Sequence, residues 1–185
     1  MGTLQDLASD LGAQERTLRR AVAQGTLRAE RSGPRRLALK DGERDYLRAH
    51  WPLLADLRRA LRTEQRVRLA VLYGSIARGD EDEDSDLDLL VSFAEGRPFS
   101  PYPLTSRLRK VCKRRVDIAR LERVEASAPL LLERVLDEGR VVIDRDDQWR
   151  QLRERGPKIR AQALRTHRKH MAETARAIED LINDR

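Results

Sequence analysis

Two stretches decide the fold of this chain: Tyr73-Gly74-Ser75-Ile76-Ala77-Arg78-Gly79, and Asp86-Leu87-Asp88-Leu89-Leu90-Val91, with ten residues between Ser75 and Asp86. Val67, Leu69, Val71 and Tyr73 alternate ahead of the first stretch, as strand residues do, and Gly74-Ser75 breaks the alternation. A strand that ends in Gly-Ser and turns into a helix makes a loop suited to phosphate. Glycine lets the backbone approach without a Cβ, serine adds a hydroxyl, and a new helix offers free N–H groups to an anion. In the second stretch, Asp86 and Asp88 alternate with apolar residues, so on a strand both side chains leave the same face. Two carboxylates side by side repel unless a cation lies between them. Oxygen ligands favour Mg²⁺ or Mn²⁺. Asp117, in Arg115-Val116-Asp117-Ile118-Ala119, stands on the next predicted strand. If the strands are neighbours it adds a third carboxylate, and three can hold two metal ions about 4 Å apart.

Working outward, the segment from about residue 65 reads strand, helix, strand, helix, strand. The helices carry Leu104, Leu108, Val111 and Cys112, then Leu131, Leu132, Val135 and Leu136 with Ser127 as cap. Val141-Val142-Ile143 closes the unit as a short strand. Before it, Leu4, Leu7, Ala8 and Leu11 mark one short helix, capped by Thr3 with Asp6 three residues on. Leu18, Ala21 and Val22 mark a second, ending at Gly25. Two short helices joined by a glycine-containing turn suit a helix-turn-helix. A small hairpin with Ser32-Gly33-Pro34 at its tip follows as a wing, and then one or two helices broken near Pro52. After residue 147, Gly156-Pro157 opens a long helix whose stripe of Leu164, His167, Met171, Ala175, Ile178 and Ile182 suits packing on the catalytic unit or on a second copy, with His167 as a packing residue.

The Gly-Ser, ten-residue spacer, Asp-x-Asp pattern resembles the minimal nucleotidyltransferases of the DNA polymerase β-like superfamily. The match runs from about Leu69 to Ile143, and Glu138-Gly139-Arg140-Val141-Val142-Ile143 is similar to that family's closing strand. The resemblance implies a mixed α+β fold with a small mixed sheet and transfer of a nucleoside monophosphate from a nucleoside triphosphate, ATP above all, to an acceptor. It implies that Asp86, Asp88 and Asp117 hold Mg²⁺ or Mn²⁺ as the catalytic set, and that Asp117 helps deprotonate the acceptor. Gly74 and Ser75 then take the β,γ-phosphates, and Arg78 the charge of the leaving pyrophosphate. The N-terminal segment resembles the helix-turn-helix of MerR- and excisionase-type regulators. Gln14, Arg16, Thr17 and Arg20 would then meet DNA from the second helix, and Arg31, Arg35 and Arg36 from the wing. The expected organisation is a DNA-binding module over 1–64, a nucleotidyltransferase domain over 65–146 and a helical tail over 147–185.

Composition narrows the class. The chain has 185 residues, 39% hydrophobic and 37% charged, with a net charge of +7. Six of the ten residues 81–90 are acidic and none is basic, so the positive charge lies elsewhere and surrounds an acidic centre. A lone cysteine excludes an internal disulfide, and one cysteine with three histidines argues against structural zinc. No apolar run spans a bilayer and no leader is evident, so a cytoplasmic protein is expected, with no membrane partner. Minimal nucleotidyltransferases often serve as antitoxins that adenylylate a HEPN toxin, and a DNA-binding arm suits an antitoxin that represses its own operon. A specific DNA site would call for a homodimer. Two other readings stay open: a transcriptional regulator with a non-catalytic nucleotidyltransferase fold, and an enzyme of the aminoglycoside-modifying type.

Overall fold

The computed structural model describes residues 3–31, 37–96 and 100–183. Helices α1 (Leu4–Asp10) and α2 (Glu15–Gln24) lead, followed by strands β1 (Ala29–Arg31) and β2 (Leu37–Leu39) and the long α3 (Glu43–Arg62). Then come β3 (Val67–Tyr73), α4 (Gly74–Arg78), β4 (Leu87–Phe93), α5 (Tyr102–Cys112), β5 (Val116–Arg120), α6 (Leu121–Ser127), α7 (Pro129–Glu138), β6 (Arg140–Asp144), α8 (Gln148–Glu154) and α9 (Gly156–Asn183). The main sheet has the order β5-β4-β3-β6. Strands β4 and β5 run parallel and the other pairs antiparallel, so the sheet is mixed.

Both faces of the sheet are covered. Leu72, Leu87, Leu89 and Val91 point into one core with Leu7, Leu18, Leu47, Leu57, Leu104 and Leu108 of α1, α2, α3 and α5. Leu69, Val71, Tyr73, Leu90 and Val141 point into the other with Val124, Leu132, Val135, Trp149 and Leu152 of α6, α7 and α8. The alternation in β3 therefore does not separate a dry face from a wet one. Six of its seven residues are buried, as befits a central strand between two helical layers.

The N-terminal segment shares its core with the sheet. Val141 N–H donates to Gly25 O at 3.2 Å, and Thr26 Oγ1 donates to Val141 O at 2.5 Å, so residues 25–26 lie along β6. Below them Arg140, 1% exposed, donates to both carboxylate oxygens of Glu43, 3% exposed, at 2.6 and 3.0 Å. Its other donors reach Ala77 O at 2.7 Å and Thr26 O at 3.3 Å, and its guanidinium lies 3.4 Å from the centre of the Tyr46 ring. Burial pushes the Tyr46 phenol up to about 12, with Glu43 and Glu81 adding to the rise and Arg140 opposing it.

Several local readings hold. Thr3 and Asp6 form the expected capping box, and Gly25 ends α2 in the left-handed region at φ +83°. The hairpin pairs Ala29–Arg31 with Leu37–Leu39, while its tip lies outside the described residues. Others change. Pro52 does not break α3, which runs unbroken for 20 residues. A buried row on both sides of the proline (Leu47, Leu54, Leu57, Leu61) packs into one core, which outweighs the roughly 3 kcal/mol cost of an internal proline. Ser127 does not cap α7. It ends α6, a helix without a sequence signature, and its hydroxyl donates to Arg123 O at 2.8 Å. Helix α8 was also hidden, because its cap comes from upstream: Asp144 accepts from the backbone of Gln148 at 3.0 Å and of Trp149 at 3.1 Å. In α9, Ile159 and Ala163 are buried, whereas His167 is exposed and so is not a packing residue. Among the described residues, no helix is long and apolar enough to cross a membrane.

Candidate active site

The site forms where β3 gives way to α4. Strand register sets it. Tyr73 pairs with Asp88 across β3 and β4, and Asp88 pairs with Asp117 across the parallel β4 and β5. Cross-strand partners share a face, so the two carboxylates stand side by side at the same end of the sheet. Gly74 turns the chain beneath them at φ +79°, and a Cβ there would overlap Asp88 Oδ2. The left-handed angle favours glycine, and any Cβ would displace the Asp88 carboxylate. Ser75 follows, half-buried, and its carbonyl accepts from Gly79 N at 2.8 Å.

Electrostatics identify the strained group. The Asp88 carboxyl is raised above the ordinary carboxylate range, first by burial and then by Asp117, Asp86 and Glu138, with Arg78 opposing. Burial, followed by Asp88, Asp117 and Glu138, pushes the Tyr73 phenol up to about 12. Asp86 is less converged. Its Oδ1 lies 2.7 Å from Arg115 Nε in an ion pair, yet that buried oxygen receives no hydrogen bond. Among the described residues no group of three histidine, cysteine or carboxylate side chains closes on one point as a metal site. Thus Asp88 and Asp117 are brought together, while Asp86 leans toward Arg115.

Glu138, at the end of α7, is a member of this site that the sequence did not single out. One oxygen accepts from Gly74 N–H at 3.0 Å and the other from Arg78 at 2.9 Å. Arg78 also donates to Asp80 at 3.0 Å, and these two carboxylates hold its guanidinium well above the ordinary value. The Gly74 amide and Arg78, both expected to face phosphates, are thus bridged by an internal carboxylate. A glutamate directly before Gly139 was the available sign.

Within the acidic stretch, Asp80 stays at the site through Arg78, while Glu81 and Asp82 find other partners. Glu81 meets His50 Nε2 at 2.5 Å while His50 Nδ1 lies 2.8 Å from Tyr46 O. Asp82 and Ser85 bond each other, and Arg114 donates to the carbonyls of both at 3.0 and 3.2 Å. Of the residues expected to meet DNA, Gln14, Arg16, Thr17 and Arg20 line one cleft of about 730 Å³ between α2 and α3. Arg35, Arg36 and the side chain of Arg31 lie outside the described residues.

Glycine turn and paired carboxylates thus come together at one end of a mixed sheet. The family model described as "Polymerase beta, Nucleotidyltransferase" matches residues 55–148, just over half of the chain, and the chain belongs to that family. Two provisionally named protein adenylyltransferases of Methanocaldococcus jannaschii are similar to it. One is 36% identical over 73 residues, covering 39% of this chain and 75% of the relative. The other is 35% identical over 78 residues, covering 40% and 71%. Among solved structures, a toxin–antitoxin complex with AMP-PNP aligns with 70% of this chain and 98% of its own at 18% identity and a TM-score of 0.48. A complex of a tri-AMPylated Shewanella oneidensis HEPN toxin with its MNT antitoxin aligns with 70% and 95% at 17% identity and a TM-score of 0.44.

Proposed function

We propose that this chain moves AMP from ATP to a protein acceptor, as the DNA-binding antitoxin of a HEPN/MNT-type pair. One observation carries the transfer: Asp88 and Asp117 are paired on neighbouring strands, and Asp88 lies against the left-handed Gly74 turn where a Cβ would displace its carboxylate. The two relatives named for protein adenylylation support the adenylyl group and the protein acceptor.

The donor set fits a hard divalent cation. It is all carboxylate oxygen, and Asp88 is partly buried facing Asp117, Asp86 and Glu138 with Arg78 opposing, while Asp86 is ion-paired with Arg115. Asp88 and Asp117 would hold Mg²⁺ or Mn²⁺, joined by Asp86 once it leaves Arg115. Such an ion, when bound, neutralises charge on the triphosphate. The protein's own groups position the reaction. Gly74 and Ser75 receive the β,γ-phosphates, and Glu138 gives up the Gly74 amide and Arg78 as they arrive. The acceptor hydroxyl attacks the α-phosphorus and passes its proton to Asp117. The bond from the α-phosphorus to the bridging oxygen breaks, and pyrophosphate leaves with its charge met by Arg78. Positioning and charge neutralisation supply most of such a rate. The helix-turn-helix reading of α1 and α2 adds DNA binding through Gln14, Arg16, Thr17 and Arg20, all facing one open cleft.

The test is ATP labelled at the α-phosphate, incubated with Mg²⁺ and the product of the neighbouring gene. That protein becomes labelled, and Asp88→Asn abolishes the label. Wild type that labels no acceptor with any nucleotide overturns the assignment.

A further inference from the structure

The α2–α3 cleft is lined by five arginines: Arg16 and Arg20 from α2, and Arg58, Arg59 and Arg62 from α3. Among the described residues, no carboxylate lines it. This is unusual in a chain where arginine normally finds an acid; Arg59 does so, with Asp56 at 3.0 Å. Arg58 is half-buried. It donates from one terminal nitrogen to Gln24 Oε1, while its Nε is buried without a partner. Burial, followed by the like charges of Arg62 and Arg20, draws the Arg58 guanidinium below its ordinary value. Three guanidiniums thus gather with only an amide between them. Such a cluster is held at an electrostatic cost that a polyanion relieves. Trp51 lines the same cleft, offering a flat apolar face beside the charges.

We infer that this cleft grips the phosphodiester backbone of the duplex that α2 engages, with Arg58 and Arg62 of α3 completing the contact begun by Arg20. The inference rests on the DNA-binding reading of α2 and adds to it a second helix that the sequence did not mark. Its shape favours a backbone over a base edge. The arginines come from two helices across an open cleft, the arrangement that tracks a strand of phosphates, and base reading is left to Gln14 and Thr17 at the start of α2.

The experiment is fluorescence anisotropy of the full chain on duplex DNA from its own upstream region, measured across a salt series. Each phosphate contact contributes about 0.9 to the slope of log affinity against log salt. Arg58→Ala with Arg62→Ala lowers that slope by about 1.8 and weakens binding at least tenfold at low salt. Arg62→Ala, on an exposed side chain that leaves the packing intact, lowers it by about 0.9, and Arg62→Lys restores it. Three results overturn the inference. If the wild type binds no duplex, the DNA reading fails and the inference with it. If Arg16→Ala weakens binding while the Arg58 and Arg62 variants keep the wild-type slope, α2 binds DNA and the cleft does not. If a free nucleoside polyphosphate binds more tightly than duplex and loses its site in Arg62→Ala, the cleft is a nucleotide pocket.

Discussion

Arg140 is the residue whose loss the structure prices most directly. Replacing it with methionine keeps most of the volume and removes the guanidinium. Glu43, 3% exposed, is then left as a buried carboxylate whose remaining donor is the backbone N–H of Arg28 at 2.9 Å. Thr26 O loses its Arg140 donor as well, and Ala77 O keeps the longer bond from Arg28 Nη2 at 3.4 Å. Removing one partner of a buried ion pair costs about 3–5 kcal/mol. For 185 residues, an unfolding entropy of about 2.1 cal/mol/K per residue gives roughly 390 cal/mol/K, so 1 kcal/mol is about 2.6 °C. Arg140→Met therefore lowers Tm by about 8–13 °C. Adding Glu43→Leu removes the stranded charge and returns part of the loss, so the two changes are strongly non-additive. Catalysis falls too, because Arg140 holds Ala77 O in the short helix that begins at Gly74. The assay is thermal and urea denaturation of the single and double variants. One core joins the N-terminal helices to the sheet, so fluorescence of Trp51 and of Trp149, each in a single-tryptophan background, reports coincident transitions. An Arg140→Met protein that melts within 2 °C of wild type, or additive single and double losses, refutes the reasoning.

Three more outcomes are expected. Gly74→Ala adds about 1–2 kcal/mol of backbone strain and forces the Asp88 carboxylate aside; the protein stays folded by circular dichroism, while kcat drops about a hundredfold. Glu138→Gln keeps an acceptor for the Gly74 amide but no longer competes as an anion for Arg78. The KM for ATP falls roughly fivefold, equivalent to about 1 kcal/mol of charge-assisted hydrogen bonding, and a raised KM would mean that Glu138 assists nucleotide binding. Because the folded state raises the Asp88 carboxyl, that group contributes stability below its unfolded value and loses it as pH rises through its folded one. Metal-free Asp88→Asn thus melts at or above wild type at neutral pH, and the difference closes on acidification; a lower Tm at pH 7 would show that the charge is not repelled.

The candidate site rests on a local signal. Asp88 lies on β4, a glycine stands where the chain turns, and Val116-Asp117-Ile118 repeats the apolar–acid–apolar pattern on another strand. Each follows from backbone periodicity and needs no knowledge of partners, whereas Asp86 falls just before β4 and leans toward Arg115. The capping box at Thr3 and the stop at Gly25 belong to the same class. What periodicity cannot carry is the identity of long-range neighbours. Glu43 and Arg140 lie 97 residues apart, and nothing near either one marks it as half of a buried pair. Glu138 reads as the polar end of a helix until β6 carries it back to Gly74. Arg58 and Arg62 carry no local mark, and only the packing of α2 beside α3 brings them to one cleft with Arg20. Glu81 reads as one acid in the run over 81–90 until its contact with His50 joins it to α3. The sequence alone thus determined which chemistry this chain carries, through residue types at strand and turn spacing. Only the tertiary structure decided which charges meet, because packing between distant segments sets whether a side chain is desolvated, paired or left for a ligand.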